Sequence, residues 1–232
     1  MHEAADVVRP FWVSVEGVNG VGKTYLTRAL AARLGSDARL LSELTDGGGD
    51  SVSGAVIAAL ASRRSFLRTG HPRTETMALL ALKVREHELI DALTDPPAII
   101  IEDRGVDTVA VYQAAIIVDI APDTEHHDLI GLDDAMRMIA NRIYATAAAW
   151  RSLPDLTLLI VDDPVTCARR FATREGRPLA DDEREIVNRA GQLYRWRTEV
   201  EPDRFRVVDR TVHDDPIPLL EKLVTNAART RR

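Results

Sequence analysis

Apolar residues in this chain fall into two kinds of run. The first kind is short and apolar on consecutive positions: Phe11–Glu16 (FWVSVE), Arg39–Ser42 (RLLS), Ala98–Glu102 (AIIIE), Leu156–Val161 (LTLLIV) and Phe205–Asp209 (FRVVD). These runs are rich in Val, Ile and Leu and read as strands buried on both faces of a parallel sheet. The second kind is longer and predicts helices near 23–35, 51–64, 74–94, 106–119, 132–151, 164–174, 181–200 and 216–229. Strands alternating with helices predict a three-layer α/β fold, a central five-stranded parallel sheet flanked by helices. Pro72, Pro96, Pro97, Pro122, Pro154, Pro164 and Pro216 fall at the junctions, where a residue without an N–H belongs.

Composition narrows what such a fold can be for. The 232 residues are 45% hydrophobic, ample for one core and short for two, so a single domain over 1–232 is expected. The net charge of −6, with basic residues spread out, argues against a nucleic-acid partner. Dense basic runs occur at Arg169–Arg177 and Arg229–Arg232, the latter reading as a solvated tail. A lone Cys167 allows no internal disulfide and reads as a small core residue. No stretch approaches the length of a membrane span, and MHEAADVVRP lacks the apolar segment of a signal peptide, so a cytoplasmic protein is expected.

The chemistry begins where the first strand ends. VSVEGVNGVGKTYLTRAL contains G-x-x-x-x-G-K-T as Gly17, Gly20, Gly22, Lys23 and Thr24, between an apolar strand and an amphipathic helix. Glycines let backbone N–H groups turn inward around a phosphate, and the helix start points its positive end at the same anion. Lys23 would reach the outer phosphates, and Thr24 would offer its hydroxyl to Mg²⁺. Gly17, Asn19, Gly20, Val21, Gly22, Lys23, Thr24 and Tyr25 are therefore the expected nucleotide-binding residues. Asp46–Asp50 (DGGGD) reads either as a mobile loop or as a close backbone approach to a ligand.

The third strand ends on Asp103-Arg104. An acid at the carboxyl end of a buried parallel strand sits where α/β folds bind ligands. Asp103 would hold the Mg²⁺ water shell or accept a proton, and Arg104 would clamp an anionic acceptor with its planar fork. The competing reading is an ordinary strand-ending ion pair.

EGVNGVGKT followed by DRGVDTVAVYQ resembles the thymidylate kinase family, whose signatures are EGxDGxGKST and DRYxxSxxAYQ. Asp103, Arg104, Thr108, Tyr112 and Gln113 stand at the matching spacings. LPDLTLLIVDDP (Leu153–Pro164) resembles the family's PDLTxxLDxxP strand, and RFRVVD (Arg204–Asp209) the strand before its adenine loop. The resemblance covers roughly 11–228. It implies ATP as donor, Mg²⁺ held by Thr24 and Asp103, a clamp on the acceptor phosphate from Arg104, Tyr112 beside the acceptor sugar, and a two-fold homodimer. It also implies an Arg-rich lid near 168–182. The phosphate loop carries no Arg, and family members of that kind place the catalytic Arg in the lid, here Arg170, Arg174 or Arg177.

The chain departs from the family on the acceptor side. The loop acid is Asn19; the family's R-E-P is Ser42-Glu43-Leu44; the base-reading helix reads ALLALKVR, with Leu79 or Leu80 for the ring and Lys83 or Arg85 for the Arg. The stretch from Ala114 to Asp133 is long and carries His126-His127, which reads as a solvated loop rather than a metal site. Two kinases stay in view. One phosphorylates a nucleoside monophosphate, with acceptor residues Glu43, Leu80, Lys83, Arg104, Thr108 and Tyr112. The other phosphorylates a nucleoside hydroxyl, with Glu43 or Asp103 as base. A nucleotide switch protein would need a base-reading N-K-x-D or T-K-x-D, and the sequence has neither. Trp12, Trp150 and Trp196 are expected as packing residues, and His71 and His87 as surface or half-buried.

Overall fold

The computed structural model describes residues 9–46, 51–61, 65–120, 131–213 and 215–231. Among them five strands, β1 (Phe11–Glu16), β2 (Ala38–Leu41), β3 (Ile99–Asp103), β4 (Leu156–Val161) and β5 (Phe205–Asp209), form one sheet in the order β2-β3-β1-β4-β5. Every pairing is parallel. The central strands β1 and β3 are buried at every position, while outer β2 is half-exposed. That gradient is why the inner strands read as unbroken apolar runs.

Among the described residues seven α-helices lie between the strands, α1 (Lys23–Leu34), α2 (Ser51–Leu60), α3 (Pro72–Asp91), α4 (Val106–Ile120), α5 (Leu132–Ala148), α6 (Pro164–Glu175) and α7 (Asp181–Val200), and α8 (Ile217–Arg231) follows β5. Side chains alternate across the sheet. Phe11, Val13 and Val15 pack with Ile101, Leu158 and Ile160 against Leu26 and Leu30 of α1 and Leu220 and Val224 of α8. On the other face Trp12 and Ile100 meet Ile90 of α3, while Leu159 and Phe205 join the core of α4, α5 and α7. Helix α4 runs through the middle of that layer, and its Ala110, Ala114 and Ala115 are fully buried.

Two ion pairs are locked inside this second layer. Arg151 forks onto both oxygens of Glu102 at 2.8 and 3.0 Å and lies 4.7 Å over the Trp12 ring. Arg204 forks onto Asp107 at 2.7 and 2.8 Å, and Thr157 and Tyr144 add their hydroxyls. Burial alone would raise the Asp107 carboxyl; the Arg204 cation outweighs it and holds the group below its usual range.

The boundaries differ from expectation at few places. Helix α3 begins on Pro72, which suits a first helical turn. Helix α2 ends at Leu60, and α5 ends at Ala148. Trp150 is 74% exposed, so it is not a packing residue. His87, expected at the surface or half-buried, is buried at 8% exposure and stacked on Trp12 with ring centroids 5.0 Å apart. Gly47–Asp50 and His126-His127 lie outside the described residues. No helix among the described residues is long and apolar enough to cross a membrane.

Candidate active site

Strands β1 and β3 are neighbours, with Val15 level with Asp103. Their carboxyl ends therefore bring the phosphate loop and Asp103-Arg104 together, although about 80 residues separate them in the chain. The loop is tight. Gly17, Gly20 and Gly22 all have positive φ (140°, 86° and 90°). A Cβ on Gly20 would strike the Cys167 carbonyl of α6, and one on Gly17 the Ile160 carbonyl of β4. Glycine here serves close backbone approach as well as turning.

Lys23 folds back onto the loop, its Nζ donating to the carbonyls of Gly17 at 2.7 Å and Val18 at 3.0 Å. Burial, together with the Arg104 cation, lowers this ammonium to about 7. Lys23 and Thr24 line a pocket of about 530 Å³ with Gly20, Gly22, Tyr25, Arg28, Asp46 and Arg170. Behind it, Asp103 Oδ2 accepts from Thr27 Oγ1 at 3.3 Å, and Asp103 Oδ1 is buried without a hydrogen-bond partner among the described residues. Burial raises the Asp103 carboxyl; a hydrogen bond from the Thr24 hydroxyl offsets part of this, and Glu43 adds to it. An orphaned hard oxygen beside the Thr24 hydroxyl fits Mg²⁺, which would neutralise phosphate charge when bound.

A second cleft, of about 300 Å³, opens on the far side of Arg104. Asn19, Glu43, Lys83, Thr108 and Gln113 supply its polar groups, and Phe66, Leu79, Tyr112 and Phe171 its apolar walls. Phe66 and Tyr112 lie 5.5 Å apart, centroid to centroid. Arg104 borders both pockets. Its Nη2 donates to Asn19 Oδ1 at 3.0 Å, and its Nε is 2.8 Å from Glu43 Oε1. Its φ of 66° is costly for a residue with a side chain. The turn is held there by a backbone bond from Arg104 N to the Val15 carbonyl. Burial opposes the charge on Glu43, but Arg104 and then Lys23 outweigh it, so its carboxyl titrates below the usual value.

Helix α6 closes the arrangement from above. Asp163 caps it by accepting from Thr166 N at 2.7 Å, Pro164 opens it, and Gly176 (φ 70°) ends it. Arg170 contacts Asp162 at 2.5 Å and the Gly20 carbonyl at 3.4 Å; Arg174 borders both pockets.

The structure thus brings together Gly20, Gly22, Lys23, Thr24 and Tyr25 on one side, and Asn19, Glu43, Lys83, Arg104, Thr108 and Tyr112 on the other. Other expected residues stand elsewhere: Asn19 borders the second cleft rather than the loop pocket, Gly17 and Val21 line neither and Val21 is buried in the core, and Leu80 and Arg177 are also displaced. Leu80 is buried in the core, and it is Leu79 that borders the cleft, because one residue along a helix turns the side chain by about 100°. Arg177 lies past the end of α6, forked onto Glu183 at 2.7 Å, and borders neither pocket. Lys83 borders the cleft but is bound to Glu86 at 2.8 Å. Phe66 and Phe171 went unnoticed in the sequence. They reach the cleft from a one-turn segment and from a helix otherwise conspicuous for its arginines.

A thymidylate kinase from Thermomicrobium roseum is 30% identical to this chain over 209 residues, 87% of this chain and 88% of that one. The chain belongs to the thymidylate kinase family. As in that family generally, it is a phosphotransferase of the nucleoside monophosphate kinase class. A second thymidylate kinase, from Cupriavidus pinatubonensis, is 27% identical over 227 residues, 94% of this chain and 99% of that one. Among solved structures, a thymidylate kinase from Candida albicans shares the fold with a TM-score of 0.61 at 19% identity, covering 96% of this chain and 92% of that one. No family model matches the chain.

Proposed function

We propose that this thymidylate kinase-family chain moves the γ-phosphoryl group of ATP, with Mg²⁺, onto the phosphate of a nucleoside monophosphate, either dTMP or an atypical pyrimidine nucleotide. The observation that carries this reading is the position of Arg104. Arg104, like Arg174, borders both the phosphate-loop pocket and the second cleft, and it stands at the end of β3 beside the loop, so it would hold an anionic acceptor against the donor's outer phosphate. Lys23 would leave the loop carbonyls for the donor phosphates, and Arg174 would add positive charge over the transferred group. Thr24 and Asp103 would hold the metal. The acceptor's base would lie between Phe66 and Leu79, within reach of Lys83 and Gln113.

A nucleoside acceptor would require a base to remove a hydroxyl proton. Glu43 suits that task poorly, because its pairing with Arg104 lowers its basicity. An already ionised phosphate needs no such base. The test is to offer dTMP, dUMP, UMP and dCMP beside the corresponding nucleosides, with ATP and Mg²⁺, and to follow ADP release. Turnover is expected with at least one monophosphate; turnover with nucleosides alone would refute the reading.

A further inference from the structure

Glu16 is the last residue of β1 and directly precedes the phosphate loop. It faces the α4 side of the sheet and is wholly buried. Four donors converge on its carboxylate. Ser14 Oγ at 2.6 Å and Gly105 N at 2.7 Å reach Oε1. Tyr194 OH at 2.9 Å and the Thr108 hydroxyl, in very short contact, reach Oε2. A carboxylate offers about four acceptor sites, so this one is filled. The donors come from three places that matter. Gly105 follows Arg104, the strained residue between the pockets; Thr108 borders the acceptor cleft; Tyr194 belongs to α7.

We propose that Glu16 is a positioning residue for acceptor binding: it fixes the Arg104-Gly105 turn and aims the Thr108 hydroxyl, joining the acceptor wall to the root of the donor loop. The inference rests on the nucleoside monophosphate reading above. With its single proton committed to Glu16 and the Tyr194 hydroxyl 3.0 Å to one side, the Thr108 hydroxyl has only its remaining lone pair for the cleft, so it accepts from a substrate N–H or O–H rather than donating to one. Glu16→Gln keeps the volume but replaces one acceptor oxygen with an NH₂ group. The Gly105 N–H cannot rotate and will claim the remaining oxygen. The NH₂ then faces Thr108 and Tyr194, and the Thr108 proton is turned toward the cleft.

The test measures both substrates separately in Glu16→Gln and wild type. The acceptor KM, and the acceptor Kd by calorimetry, are expected to rise about tenfold, the size of one hydrogen bond to a charged group. The KM for ATP is expected to stay within error. Thr108→Val should give a similar rise, and the double variant should be no worse than either single one, since both break the same link. An unchanged acceptor KM in Glu16→Gln, equal losses for both substrates, or effects that multiply in the double variant would overturn the proposal. Should Glu16→Gln not fold, Tyr194→Phe removes one donor and leaves the charge. A rise of the acceptor KM alone is expected there too, and no change overturns the inference. Wild-type protein inactive on every monophosphate would bring down the functional reading and this inference with it. Wild-type turnover with an unmoved acceptor KM in the variants defeats this inference only.

Discussion

The two sides of Arg104 are built in different ways. The donor side is made of consecutive backbone: eight residues, Gly17 to Thr24, in a conformation that three positive-φ glycines permit. The acceptor side is made of side chains from β2's exit, α3, α4, α6 and the turn at Phe66. A backbone site recognises what every nucleoside triphosphate shares, its phosphates. A side-chain site recognises what distinguishes one nucleotide from another, and it can change without disturbing the loop. Of the departures from the family pattern, Leu44 and Leu79 line the second side, and so does Asn19, although its backbone belongs to the loop.

The sharpest test of this division is Lys23→Ala. Turnover should fall by about 10³ or more, because phosphoryl transfer depends chiefly on charge placed around the phosphates. Acceptor affinity measured by calorimetry without ATP should hardly change. A collapse of acceptor binding would show that the two sides are not separable. Next in size, Arg174→Ala should lower kcat by roughly 10²–10³, the scale of one catalytic electrostatic partner. Arg177→Ala should leave kcat near wild type, since that side chain is engaged with Glu183. Equal effects of the two substitutions would mean that the end of α6 rearranges around substrate. Gly20→Ala should cost roughly 10² in turnover, because pushing α6 away from the loop displaces groups that must align within about 1 Å. ATP affinity should fall with it, and a normal ATP KM would contradict the close packing on Cys167.

The smallest expected effect on turnover concerns the acceptor wall's foundation. Arg204→Met leaves Asp107 buried without its cation, a loss of about 3–5 kcal/mol by analogy with broken buried pairs. In wild type the lowered Asp107 carboxyl contributes stability that is complete above the unfolded value of about 3.9 and is lost as the pH falls through the folded value. In the variant, burial without Arg204 raises the group, so its penalty is relieved by protonation on acidification. The gap between wild type and variant in urea unfolding should therefore be widest at neutral pH and shrink toward pH 4. A gap independent of pH would mean that the loss is one of packing rather than charge.

The contrast also explains what could be read in advance. The five strands were visible as apolar runs because parallel central strands are buried on both faces. The donor loop was visible because its chemistry is contiguous. Asp103 and Arg104 were visible because they terminate a strand next to that loop. Leu79 could not be told from Leu80, since the phase of a helix is fixed by packing and α3 has apolar residues on several faces. Phe66 has no periodic context at all. Glu16 was legible only as the last residue of the run Phe11–Glu16 and the first of EGVNGVGKT. Its role depends on Gly105, Thr108 and Tyr194, which only the folded sheet brings to it. Arg177 was a candidate through the lid that the family resemblance implies; the turn after Gly176 carries it out of the cleft.

The meeting of Gly20 with Cys167 has a mechanical consequence. Helix α6 is seated on the loop at its first turn, by backbone packing there and by Arg170 onto the Gly20 carbonyl. Arg174 rides about two turns beyond that seat, roughly 10 Å along the axis. The helix is thus a short lever with its fulcrum on the donor loop. A tilt of about 10° would carry the axis at Arg174 by ~2 Å at that rise, and whatever settles into the loop presses directly on the pivot.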